Sequence, residues 1–400
     1  MRIAVLGAGY AGLTLARKLE RTVPDDVEIL VVEKTGRHLV QHEVHRAIRR
    51  PSLADDIVVE LGEVLDRAEV RQAEVTDVDP EENVVSLSSG ATIEYDYAGV
   101  CLGAETAFYG LPGVEENATP LKTLDDADRI RADFLDALDA GDAGDADDAG
   151  ESAETSPDSS ARVVVGGAGL SGVQVAGELA AFAREEGGRE SVTITLLEQL
   201  AEVAPAFPAN FQSAVREQLE ARDVEIRTGT AVSSADDDAI ELETGEKLEY
   251  DQFVWTGGIR GPDALGGERP QVNNSLRLGD GTFVVGDAAR VVDANGEPVP
   301  ASAQAAVREA RAVAGNIASL VEYDREGEDL FEPRLEPFAF DSPGWLVSIG
   351  DGAVAQVGPT VLTGKAAKAL KTTVGAGYLS SVGAIRNAAD LVGEELGYEK

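Results

Sequence analysis

The 400-residue chain holds one cysteine, Cys101. A lone thiol forms no internal disulfide and no Cys-x-x-Cys pair, so dithiol redox chemistry within the chain is excluded. Cys101 sits in an apolar strand and reads as a small core residue. Cations are scarce: 34 Lys and Arg face 73 Asp and Glu, a net charge of −39. Such a surface repels phosphates, which excludes ordinary nucleic-acid binding. The acids are spread along most of the chain, the pattern of halophilic adaptation, in which molar salt screens like charges over about 3 Å. No apolar run reaches the roughly 18 residues of a membrane span, so no transmembrane helix is expected. Met1 leads straight into an apolar strand, so no signal peptide is expected, and the chain is assigned to the cytoplasm or to the inner face of the cell membrane. The three histidines, His38, His42 and His45, have a spacing that permits a metal, but no cysteine or ordered set of acids joins them, so no metal site is expected. A packing role is expected instead.

Glycine is plentiful, and it is patterned. Gly7-Ala8-Gly9-Tyr10-Ala11-Gly12 and Gly167-Ala168-Gly169-Leu170-Ser171-Gly172 each follow an apolar run and open an alanine-rich stretch. In such a fingerprint the first glycine makes a tight turn. The second lets the backbone approach a pyrophosphate, and the third lets helix and strand pack closely. The helix N-terminus adds free N–H groups and the positive dipole end. After each fingerprint a second apolar strand ends in an acid, Glu33 and Glu198. A carboxylate there accepts hydrogen bonds from ribose hydroxyls and repels a 2′-phosphate, so Glu198 favours NADH over NADPH. Two such units imply two dinucleotides held face to face. Thr282-Phe283-Val284-Val285-Gly286-Asp287 reads as a buried strand whose aspartate is available to a polyol hydroxyl.

The chain is long enough for two or three domains with full cores. The fold class is α/β: two Rossmann-like dinucleotide-binding domains, the second inserted into the first, plus a C-terminal portion. Residues 1–120 form the first part of the first domain, the FAD domain of the resemblance that follows, and 121–160 a connection. Within the connection, residues 139–160 are acidic, of low complexity and without large apolar groups, and read as a disordered linker. Residues 161–265 form the second domain, the NAD domain of that resemblance, 266–330 the second part of the first domain, and 331–400 a C-terminal domain. A hairpin is expected from Val84 to Tyr95, turning at Ser89-Gly90, and a helix opens at Ser302, Ala303 and Gln304 after Pro300.

On these residues the chain resembles the two-dinucleotide-binding-domain flavoproteins of the pyridine nucleotide-disulfide oxidoreductase superfamily, and within them the type II NADH dehydrogenases. The resemblance implies FAD on Gly7, Gly9, Gly12 and Glu33, with Asp287 on the ribityl chain. It implies NADH on Gly167, Gly169, Gly172 and Glu198. It places Gly258 of Phe253-Val254-Trp255-Thr256-Gly257-Gly258 at a return between domains and counts it with the cofactor contacts. It puts Ala303 and Gln304 in a helix beside the flavin and the quinone site. Gln174 stands where the family has a glutamate implicated in electron or proton transfer, and Arg308 where it has a second glutamine. Gln174 and Gln304 are the residues assigned to catalysis. The implied reaction passes a hydride from NADH to FAD and electrons on to a quinone. A soluble reductase with a protein acceptor and a non-catalytic NADH-sensing flavoprotein are the alternatives. Sulfide:quinone oxidoreductases share this architecture but work with several cysteines.

Residues 361–389 contain no acid but hold Lys365, Lys368, Lys371 and Arg386 among apolar neighbours. Two readings fit: an anchor lying on a membrane surface, or a helix covering the domain junction or a homodimer interface. The expected partners are thus a quinone or other electron acceptor, a membrane surface, and a second copy of the chain.

Overall fold

The computed structural model describes residues 1–147, 160–187, 191–327 and 331–395. The first unit runs β1 (Arg2–Leu6), α1 (Tyr10–Thr22), β2 (Glu28–Glu33), β3 (Glu69–Gln72) and β4 (Tyr97–Val100). The chain then forms β5 (Thr119–Pro120), α2 (Leu124–Asp147), β6 (Ala161–Gly166), α3 (Leu170–Glu185), β7 (Val192–Leu197), α4 (Ala209–Glu220), β8 (Val224–Arg227) and β9 (Gln252–Trp255). It continues through β10 (Thr282–Val284) and α5 (Ala303–Glu326). It closes with β11 (Gly344–Ile349), β12 (Gly352–Val357), β13 (Thr360–Thr363), α6 (Gly364–Ser381) and α7 (Ile385–Glu395).

Two five-stranded parallel sheets share the order of four strands and differ in the fifth, an edge strand that comes last in the chain in one and first in the other. The first is β10-β4-β1-β2-β3 and the second β5-β9-β6-β7-β8. In each, the central strand feeds a glycine fingerprint. Ile3, Ala4, Val5 and Leu6 of β1 are wholly buried, as a strand covered by helices on both faces must be. The chain leaves the first sheet after β4 and returns to it at β10, with the second sheet between. The expected hairpin forms, Val84–Leu87 pairing antiparallel with Thr92–Glu94 around Gly90, whose φ is 82°.

The third sheet, β11-β12-β13, is antiparallel and stacks between α3 and α6. Gly177 makes this contact possible: a Cβ there would lie 2.8 Å from the Gly350 nitrogen and the Ile349 Cα. One expectation changes. The acidic stretch read as a linker from residue 139 continues α2 as far as Asp147. Its alanines are the strongest helix formers and carry the helix on from the Leu124 end, where burial of Phe134 and Leu138 anchors it. The remainder, 148–159, lies outside the described residues.

Candidate functional site

The two fingerprints fold alike. Gly7 and Gly167 have φ of 89° and 93°, a region that favours glycine. Their N–H groups donate to the Val32 and Leu197 carbonyls, each at 2.8 Å. A Cβ on Gly12 would sit 1.8 Å from the Gly7 oxygen, and one on Gly172 would sit 1.8 Å from the Gly167 oxygen. At Gly9 and Gly169 a Cβ would meet no protein atom within 4 Å. These two glycines therefore face open space at the N-termini of α1 and α3, which have no side-chain cap. Each is a cradle shaped for a phosphate, with uncapped N–H groups pointing into it.

The strand-end acids close each cradle. The Ala8 N–H donates to Glu33 Oε2 at 2.8 Å, and the Ala168 N–H to Glu198 Oε2 at 2.9 Å. Thr35 N and Leu200 N donate to the other oxygens, at 3.1 and 2.9 Å. A carboxylate has about four acceptor positions, so each retains capacity for ribose hydroxyls. FAD and NADH fit the two cradles on these grounds.

Gly286, φ 72°, turns the end of β10 so that Asp287 follows, and a Cβ on Gly286 would lie 3.4 Å from Ala11 Cβ and 3.2 Å from Ala306 Cβ. This turn, the first fingerprint and α5 therefore meet at one point. Burial raises the Asp287 carboxyl above the usual range, and Lys122 and Arg269 oppose it. Arg269 donates to the Asp287 and Ala289 carbonyls at 2.6 and 2.7 Å. The Gly286 N–H donates to Glu309 Oε2 at 2.6 Å, and burial pushes that carboxyl up to about 7. Ser302 caps α5 by accepting from the Ala305 N–H at 3.2 Å, so Ala303 and Gln304 open the helix as expected. The Gln304 side chain donates to Ser342 Oγ at 3.3 Å, and Arg308 lies 5.9 Å from the Phe340 ring centroid.

Gly258 follows β9, where Glu105–Thr106 pairs antiparallel with Ile259–Arg260, and accepts from the Ala107 N–H at 3.0 Å. Its Cα faces the Tyr109 hydroxyl. Gln174 lies half-buried one turn into α3, on the helix that carries Glu178. Cys101 is buried beneath the first cradle, and burial pushes its thiol well above the ordinary value.

His38 and His42 make side-chain hydrogen bonds, and His45 is buried. His38 spans the Ala8 carbonyl and Tyr378, and His42 Nδ1 bonds the Tyr10 hydroxyl. The sequence reading missed Lys122, Glu309 and Tyr378, since no local motif marks them. Arg46 and Arg49 are buried, and Arg49 pairs with the buried Glu178 at 2.7 Å.

The family model for pyridine nucleotide-disulphide oxidoreductases matches residues 1–310. The chain is 27% identical to the type II NADH:quinone oxidoreductase of Staphylococcus aureus over 407 aligned positions, covering 96% of each. Its fold is similar to that of NDH2 from Plasmodium falciparum in complex with NADH, with a TM-score of 0.82 and 16% identity over 99% of this chain and 98% of that one. It is also similar to the sulfide:quinone oxidoreductase of Aquifex aeolicus, with a TM-score of 0.75 and 20% identity over 100% of this chain and 96% of that one. With both cradles, the strand-end acids and the Gly-Asp turn in place, the chain belongs to the pyridine nucleotide-disulphide oxidoreductase family.

Proposed function

We propose that the protein is an FAD-dependent NADH dehydrogenase that delivers electrons to a quinone. The observation that carries the reading is the pair of matched cradles, each with its own ribose-binding acid, in a chain aligned end to end with a type II NADH:quinone oxidoreductase. The FAD unit comprises residues 1–120 and 266–330, and the NADH unit residues 161–265. The chemistry that FAD supplies when bound is acceptance of a hydride from NADH and release of two electrons to the quinone, with one proton drawn from solvent.

The chain's residues bind and orient. Gly7, Gly9 and Gly12 seat the FAD pyrophosphate at α1 and Glu33 holds the ribose, while Asp287 accepts from the ribityl chain. Gly167, Gly169 and Gly172 seat the NADH pyrophosphate, and Glu198 excludes a 2′-phosphate by charge. The α5 N-terminus at Ala303 turns its positive dipole end toward the reduced flavin. Gln304 and Gln174 serve the acceptor side as hydrogen-bonding amides, since an amide does not exchange a proton as a carboxylate does. The buried Cys101, held in the thiol form, supports NADH over sulfide as the electron source.

No helix among the described residues is long and apolar enough to cross a membrane. Leu379 and Ala367 of α6 are buried, while Val374 of α6 and Ile385 of α7 are 54% and 63% exposed, and Lys365 and Arg386 are exposed as well. We assign this outer face to docking on the inner membrane surface. Flotation with liposomes should fall when Val374 and Ile385 are both changed to Asp.

The function is tested by purifying the protein in molar salt, reconstituting it with FAD and adding NADH with and without a quinone. A flavin spectrum that NADH bleaches and quinone restores is expected. A colourless protein, or one that stays oxidised in excess NADH, overturns the reading. Fast turnover with a ferredoxin but not with quinone would move the acceptor to a protein.

A further inference from the structure

Helix α6 reaches the first cradle through a knot of four rings, His38 buried and Tyr10, His42 and Tyr378 half-buried. His38 is wholly buried, with Nδ1 2.8 Å from the Ala8 carbonyl and Nε2 3.0 Å from the Tyr378 hydroxyl. The Tyr10 ring centroid lies 4.8 Å from that of Tyr378 and 5.4 Å from that of His38. The Tyr10 hydroxyl bonds His42 Nδ1 and accepts from the His42 N–H at 3.3 Å. Ala8 and Tyr10 flank Gly9, the glycine that opens the cradle.

The proton positions follow from the partners. A carbonyl only accepts, so His38 Nδ1 carries the hydrogen. Nε2 of the neutral ring then accepts, and Tyr378 donates. Burial holds His38 neutral by lowering its pKa to about 4, opposed by the Ala8 bond and reinforced by His42. Tyr10 on α1, His42 and Glu43 on the following turn, and Tyr378 and Lys371 on α6 are the titratable groups around it.

The consequence lies in one peptide plane. In a trans peptide the carbonyl of residue i and the N–H of residue i+1 point in opposite directions. Pinning the Ala8 carbonyl to His38 turns the Gly9 N–H away from the knot, and around Gly9 itself there is room for a ligand: a Cβ there would meet no protein atom within 4 Å. We propose that Tyr378 is a positioning residue for the nucleotide in the first cradle: through His38 it locks the Ala8–Gly9 peptide with its N–H aimed at the pyrophosphate, so that α6 controls flavin retention. The inference rests on the FAD reading given above.

The test uses the full chain in molar salt and measures FAD affinity by fluorescence titration. Tyr378→Phe removes one partly buried hydrogen bond and should weaken FAD binding about 5- to 10-fold, leaving the KM for NADH unchanged. His38→Asn keeps an N–H near the Nδ1 position but loses the Tyr378 link. It should weaken FAD binding to the same extent, and the double variant should add nothing further. Spectra of isotopically labelled histidine should show Nε2 of one ring losing its hydrogen-bond donor in Tyr378→Phe, while the apoprotein melts as wild type does; a purely structural role would lower the melting temperature without a selective loss of FAD affinity. Thr373→Ala, on the exposed side of α6, should leave affinity unchanged. If wild type binds FAD and Tyr378→Phe binds it equally well, the positioning role is overturned and the FAD reading stands. Failure of wild type to bind FAD overturns both.

Discussion

At the scale of single residues, the glycines of the cradles divide into two kinds, and substitution should separate them. Gly9→Ala places its Cβ in open space, so the apoprotein should melt as wild type does while FAD affinity falls at least roughly tenfold, read by titration. Gly169→Ala should keep the flavin colour and raise the KM for NADH by a similar factor. Gly12→Ala, with its Cβ 1.8 Å from the Gly7 oxygen, should yield no soluble protein. Glu309 makes a different prediction. Burial raises its carboxyl from an ordinary 4.5 to about 7, the Gly286 N–H opposes the rise, the Asp287 charge adds to it, and Arg269 opposes it. Between those values the folded chain holds a proton that the unfolded chain has released. This group's contribution is therefore whole below 4.5 and lost as pH rises through 7. Glu309→Gln keeps an acceptor for the Gly286 N–H without the charge. Its urea midpoint should gain on that of wild type progressively from pH 5 to pH 8.

At the scale of elements, Arg49 joins three pieces of the fold. It follows the short helix Val44–Ala47, pairs with Glu178 of α3 at 2.7 Å, and reaches Asp351 between β11 and β12 at 2.9 Å. The side chains of Arg49 and Glu178 are 2% and 1% exposed. Burial disfavours the Arg49 charge, but Glu178 and Asp351 outweigh it and hold the guanidinium above its ordinary value. Removing one partner leaves the other charged and dry. Arg49→Met should therefore cost about 3–5 kcal/mol in denaturant unfolding, and adding Glu178→Leu should recover most of the loss. Asn387 of α7 fastens the same region by donating to the Asp56 and Val58 carbonyls at 3.0 and 2.9 Å. The C-terminal helices are thus tied by polar contacts to the segment that follows Glu33. Nothing in the local pattern of 361–389 announced this, because basic and apolar residues suit a buried contact and a membrane surface equally.

At the scale of the whole molecule, a net charge of −39 makes self-repulsion a property of the entire surface. Screening acts over about 3 Å at 1 M salt and about 30 Å at 0.01 M. We expect the melting temperature to fall and FAD to be released as salt is withdrawn, followed by circular dichroism and flavin fluorescence. A melting temperature indifferent to salt would count against halophilic adaptation.

The sequence by itself determined the turns, the strand-end acids and the fold class. Those depend on short spacings: Ala8 and Glu33 meet because one helix and one strand separate them by 25 residues. It also settled the exclusion of dithiol chemistry, which needs only a cysteine count. Tertiary structure alone decided that Tyr378 meets His38 across 340 residues and Arg49 meets Glu178 across 129. Such pairs are made by the docking of one unit on another, and no periodicity along the chain encodes which side chains the docking will bring together. The same reason explains the helix at 139–147. Its composition lacks large apolar groups, but its start is anchored in a core built by distant strands.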